Sequence, residues 1–127
     1  MLIVAGHFVV DPADQAAFVE GRVEAMRATR EEPGCLEYVM AADAVDASRV
    51  ILFERWADQA AFDQHMAVLA QGGSKATGPA PKGFEVKIYD ISGERAFARR
   101  EKPGDVDALV VAPARDAQRR RGGMLDF

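Results

Sequence analysis

The sequence predicts an α+β domain built on one antiparallel sheet, with two helices packed against one face. Two observations carry that prediction. Short apolar runs bounded by turn residues alternate with two stretches of helical periodicity, in the order strand, helix, strand, strand, helix, strand. At 127 residues the chain is also long enough for one domain around a single core.

The elements follow in order. Residues 2–10 are almost all apolar or small, which reads as a strand with both faces at least partly covered. Asp11 then Pro12 start a helix: Asp11 can cap it, and Pro12 suits the first helical position, where the missing N–H has no partner to lose. Ala16, Val19, Val23 and Met26 recur at spacings of three and four and predict one continuous helix that ends at Pro33–Gly34. Cys35 to Ala41 is the second strand, with Leu36, Tyr38 and Met40 on one face and Cys35, Val39 and Ala41 on the other. A polar turn from Asp43 to Ser48 leads into the third strand, Val50 to Trp56. Asp58 caps a second helix. Its Phe62, His65, Met66 and Leu69 stand at i, i+3, i+4 and i+7, the pattern of a buried face, and Gly72 and Gly73 stop it. A linker over 71–83 precedes the fourth strand, Phe84 to Ile91.

The βαββαβ order is that of a ferredoxin-like sheet with both helices on one side. The third strand is nevertheless apolar on both faces, because Ile51 and Phe53 oppose Val50, Leu52 and Trp56. A sheet covered on one side only should show a wet second face. The expected cover is a second copy of the same sheet, giving a two-fold homodimer.

Composition narrows the function. A hydrophobic share of 49% with 28% charged residues is that of an ordinary soluble globular protein. The net charge of -4 weighs against nucleic acid, whose partners carry a basic footprint. No apolar run approaches the roughly 20 residues needed to span a bilayer. The N-terminal apolar run lacks a basic leader and runs into a helix cap, so it reads as a strand and not as a signal peptide. One cysteine, Cys35, allows no internal disulfide, and a cytoplasmic location is expected. Two histidines and that cysteine show no metal-ligand spacing, so no metal site is expected. P-loop, GxGxxG and GxSxG signatures are missing.

The βαββαβ order, the EPGCLEY run before and into the second strand, and Glu-x-Trp followed by a helix bearing His resemble the antibiotic biosynthesis monooxygenase (ABM) domain over about residues 1–92. The resemblance implies a dimeric α+β barrel. It brings in a family of cofactor-independent oxygenases acting on quinols and polycyclic aromatics, with haem-degrading relatives. Haem-degrading relatives carry an axial histidine further along the second helix, where this chain has Lys75 among Ser and Ala, so neither haem nor another cofactor is expected.

The candidate site centres on His65, a group costly to bury alone and placed on the apolar helical face. Imidazole ordinarily titrates near ~6.5, which suits a general base acting on a substrate hydroxyl; a core histidine bonded to a backbone carbonyl is the alternative. Trp56 and Phe62 are candidate aromatic walls, although a Trp at a strand end is more often a large apolar core filler. Tyr38 and Met66 are further candidate walls on pattern. His7 shares a strand face with Ile3, Ala5 and Val9, and joins the site only if that is the helix-covered face; otherwise it lies on the dimer face or at a strand edge. Glu54 reads as a paired or edge carboxylate. The expected function is oxidation of a quinol or polycyclic phenol by O₂ without a cofactor, the partners being a small aromatic substrate, O₂ and a second copy of the chain. A non-catalytic ligand-binding or regulatory dimer, and a haem-degrading or isomerase relative, are the alternatives. The linker over 71–83 reads as a flexible connection or a lid. Residues 93–127 form an extension with one apolar run, 108–112, that could be an edge strand, and an arginine triplet from Arg119 to Arg121.

Overall fold

The computed structural model describes residues 1–98, and its regular elements all fall within Met1–Ser92. Strand β1 is Leu2–Val9; a single 3-10 turn, Pro12–Asp14, leads into α1 (Gln15–Glu20) and α2 (Val23–Thr29). Then come β2 (Cys35–Ala42), β3 (Arg49–Trp56), α3 (Gln59–Ala70) and β4 (Gly83–Asp90). The four strands form one sheet in the order β2-β3-β1-β4, every pair antiparallel. This is the expected α+β, ferredoxin-like arrangement. The run at 108–112 and the arginines at 119–121 lie outside the described residues.

Capping fixes where the helices begin. The Asp11 carboxylate accepts from the Ala13 N–H at 2.9 Å, and that of Asp58 from the Ala61 N–H at 2.8 Å, each satisfying a donor that helix geometry leaves open. Gln15 then anchors α1 to the β2–β3 hairpin: its side-chain amide donates to the carbonyls of Asp43, Asp46 and Arg49 at 3.1, 3.2 and 2.8 Å.

The first helix is not continuous. It breaks at Gly21 and Arg22, where Arg22 adopts φ -113° and ψ 5°. The Gly21 carbonyl accepts the Thr77 N–H at 2.8 Å, and the close approach of the Thr77 backbone leaves no room for a Cβ at Gly21. The Arg22 guanidinium closes the contact by donating to the carbonyls of Phe18 at 3.1 Å and Thr77 at 3.2 Å. The helix break is therefore the docking point of the 71–83 linker, whose middle is bonded to the helix layer.

The core lies between the sheet and the helices. Val4 of β1, Val50, Leu52 and Trp56 of β3, and Tyr38 and Met40 of β2 meet Phe18, Met26 and Phe62 from the helices. Three expectations about faces need correction. On the first helix Ala16 and Val23 are exposed, and the buried residues are Phe18, Met26 and Thr29. Cys35 is buried on the same side as Tyr38 and Met40, because an irregularity between Cys35 and Glu37 inserts a residue and flips the alternation. On α3 the buried stripe is narrower than its spacing suggested: Phe62 and His65 are buried, but Met66 and Leu69 are 46% and 38% exposed. The cause is Gly34, whose φ of +81° and lack of a Cβ let the chain entering β2 press against Ala61, so α3 seats itself on its Ala61 side.

On the opposite sheet face, Ile3, Ala5, Val9, Val39, Ile51 and Phe53 are only half-buried. Edge strand β4 leaves Phe84 and Ile88 exposed, because the helices do not extend over it.

Candidate active site

Four buried side chains gather where β2, β3 and α3 converge. His65 is 2% exposed, and its ring lies 4.9 Å from that of Trp56 at an interplanar angle of 32°. Tyr38 meets His65 edge-on at 5.6 Å, and Phe62 meets Trp56 edge-on at 6.2 Å. Of the residues selected from sequence, the structure thus brings together His65, Trp56, Phe62 and Tyr38.

It does not bring in the other two. Met66 points outward from α3. His7 pairs with Ile51 and Glu85, and it alternates with the buried Leu2 and Val4, so it lies on the sheet face away from His65. Of the placements open to it from sequence, it takes the helix-free face of a strand paired on both sides.

The partner of His65 is Glu32, whose Oε1 stands 3.0 Å from Nδ1. Local chain chemistry makes this contact. Helix α2 ends at Thr29, and the Glu32 and Cys35 N–H groups bond back to the Thr29 and Glu32 carbonyls. Pro33 and left-handed Gly34 complete the reversal, and the Gly34 carbonyl accepts the Ala57 N–H at 2.8 Å. Gly34 touches Ala61, and His65 lies one turn beyond Ala61 on the same side of α3. Glu32, two residues before Gly34, therefore faces His65. Sequence reasoning missed Glu32 as a site residue although it begins the EPGCLEY run. The usable signal was the small residues Ala57 and Ala61 ahead of His65, which mark a face of close approach.

A second carboxylate supports the aromatic side. Glu54 is 6% exposed, and its Oε1 accepts the indole N–H of Trp56 at 2.9 Å. Burial pushes the Glu54 carboxyl above its ordinary range, with the Trp56 bond and His65 pulling the other way. Burial, reinforced by Glu54, also drives the Tyr38 phenol far up, so Tyr38 remains a neutral hydroxyl donor. Glu54 is thus a buried support for Trp56, neither exposed at the sheet edge nor paired with a base.

Beside this cluster opens a cleft of about 180 Å³ between α2, β2 and the end of α3, lined also by residues 73–76 of the linker. Its walls include Arg22, Thr29, Glu32, Tyr38, Met40 and Lys75. Glu32 and Tyr38 face the cleft, and His65 lies behind both of them. The arrangement is a carboxylate–imidazole pair beside a neutral phenol at the floor of a small cavity, able to accept a proton and to hold an oxygen atom. Among the described residues no cluster of His, Cys, Asp or Glu could hold a metal ion, and no helix is long and apolar enough to cross a membrane.

Known proteins share this frame. The chain is 29% identical over 93 residues to an uncharacterized protein of Synechocystis sp., covering 72% of this chain and 63% of that one; it spans less than two thirds of that relative's length. A crystal structure of an antibiotic biosynthesis monooxygenase is 25% identical, covers 73% of this chain and all of its own (100%), and superimposes with a TM-score of 0.56. The haem degrader MhuD of Mycobacterium tuberculosis is 14% identical, covers 75% of this chain and 99% of its own, and has a TM-score of 0.59, which speaks for the fold alone. Residues 1–68 match the antibiotic biosynthesis monooxygenase profile. With that profile spanning more than half of a 127-residue sequence, the chain belongs to the antibiotic biosynthesis monooxygenase family.

Proposed function

We propose that the protein is a cofactor-independent monooxygenase of an electron-rich phenol or hydroquinone. The observation that carries this reading is the Glu32–His65 pair, 3.0 Å apart, with the carboxylate on the cleft wall and the imidazole sealed behind it. A hydroquinone meeting Glu32 gives up its hydroxyl proton to the pair, His65 steadying the carboxylate through Nδ1. The resulting phenolate passes one electron to O₂. Recombination of the radical pair forms a C–O bond and a hydroperoxide, and loss of water leaves a hydroxyquinone. One oxygen atom of O₂ stays on the ring and the other leaves as water; the substrate supplies all the electrons. The protein's part is to deprotonate, to hold the ring beside O₂ and to limit water. Tyr38 donates to the substrate oxygen, and Trp56 and Phe62 supply the apolar backing.

The residues present do not fit haem. The chain has two histidines: His65 is buried with Nδ1 engaged by Glu32, and His7 lies on the other sheet face. A cleft of about 180 Å³ is also below the roughly 300–1,000 Å³ of sites that enclose larger ligands. The working assembly is a homodimer formed through the half-buried sheet face.

An oxygen electrode with a panel of one- and two-ring hydroquinones tests the reading. Uptake above the autoxidation rate is expected for the wild type, and Glu32→Gln and His65→Gln should each lower it about a hundredfold or more. Uptake unchanged in both variants removes the pair as the base. Saturable ligand binding with no uptake by the wild type would turn the site into that of a binding protein.

A further inference from the structure

Arg22 and Arg30 are both helix-layer cations that donate to backbone carbonyls, and of the two it is Arg22 that lines the cleft. Its guanidinium carbon lies 3.5 Å from the centre of the Phe18 ring, and its Nη1 is held by the Phe18 and Thr77 carbonyls. Among the described residues no carboxylate lies within ion-pair distance of it, although Arg27, Arg49 and Arg55 each have one. Desolvation lowers its proton affinity, the sign of a cation taken from water without an anion in return. It lines the cleft together with Lys75, which likewise has no carboxylate partner among the described residues. Two carbonyls bonded to one nitrogen hold the planar fork in place, and a fixed fork is the group that matches a carboxylate through two parallel bonds.

The cleft is thus charged differently at its two ends. Helix α2, seven residues and so roughly 10 Å long, separates Arg22 at its start from Glu32 beyond its end. We propose that the ligand is a small phenol or hydroquinone of one or two rings that carries a carboxylate. Its carboxylate docks on Arg22 and Lys75, and its hydroxyl reaches Tyr38 and Glu32. The volume of about 180 Å³ sets the ring count, and the spacing of cation and acid sets the polarity. The linker that carries Lys75 is docked through Thr77 on the Gly21 break, so the helix break builds the anion end of the site.

This rests on the cleft being the substrate site, but not on oxygenation. The test is therefore a binding measurement. Trp56 is the chain's single tryptophan and stacks on His65, so its fluorescence reports on the site. The full-length protein is titrated anaerobically with a dihydroxynaphthoate and with the matching dihydroxynaphthalene. The carboxylated compound should bind about ten- to a hundredfold more tightly, as expected for charged hydrogen bonds. Arg22→Gln should collapse that ratio toward one, and exposed Lys75→Gln should reduce it. Should Arg22→Gln not fold, Lys75→Gln and the loss of the preference at high salt carry the test. Equal wild-type affinity for the two compounds, or a preference that survives both substitutions, overturns the proposal. A carboxylate preference in a protein that consumes no O₂ would support this inference and sink oxygenation.

Discussion

At the residue scale, the two carboxylates beside the aromatic cluster have opposite duties. Glu32 faces the cleft and touches His65; Glu54 is sealed and holds the Trp56 indole. Because burial raises the folded-state value of Glu54, the native chain binds that proton more tightly than the unfolded chain does. Stability should then fall as pH rises from the ordinary carboxylate range through the raised folded value, and stay lower above it. Glu54→Gln keeps an acceptor for Trp56 and removes the buried charge. In urea denaturation, its stability relative to wild type should therefore rise between pH 4 and pH 8; a constant difference would show that Glu54 titrates normally. Glu54→Leu strands the indole N–H and should cost about 1–3 kcal/mol. His65 was legible in the sequence because a histidine on an apolar helical stripe needs a partner. Glu32 and Glu54 were not, since a carboxylate's role depends on which turn or ring the fold sets beside it.

At the element scale, two glycines do what spacing could not announce. Gly34 lets the β2 approach press on Ala61 and so brings Glu32 to His65; Gly21 opens the first helix to the linker. The periodicity of Ala16, Val19, Val23 and Met26 predicts one helix because spacing does not show where a carbonyl is diverted to Thr77, and of these four only Met26 is buried. The same blindness made the α3 stripe too wide at Met66. Gly34→Ala combines a left-handed backbone with a collision at Ala61, whereas Gly72, at φ +77°, has open space around it. Gly72→Ala should cost about 1–2 kcal/mol and Gly34→Ala clearly more. The thermal midpoints should therefore separate by at least about 4–8 °C. Equal midpoints would mean that the Gly34–Ala61 contact is not tight.

At the scale of the whole molecule, the four-stranded antiparallel sheet with helices on one face followed from the element order alone, and the family profile agrees with it. Both-sided apolarity of β3 predicts that the face of Ile51 and Phe53 pairs with a second copy. Light scattering should give a dimer at micromolar concentration, and Phe53→Glu should give a folded monomer; a monodisperse wild-type monomer would contradict the assembly. The function could not be read at this scale, because the same fold is shared with a haem degrader. The proposed oxygenation depends on one proton-accepting pair beside one cleft. Turnover of a hydroquinone under isotopically labelled O₂ tests that claim most directly. In promptly quenched wild-type reactions, one labelled oxygen atom per consumed O₂ should appear in the product and one in water, with little hydrogen peroxide. Unlabelled product, or O₂ recovered as hydrogen peroxide in equal amount, would contradict it.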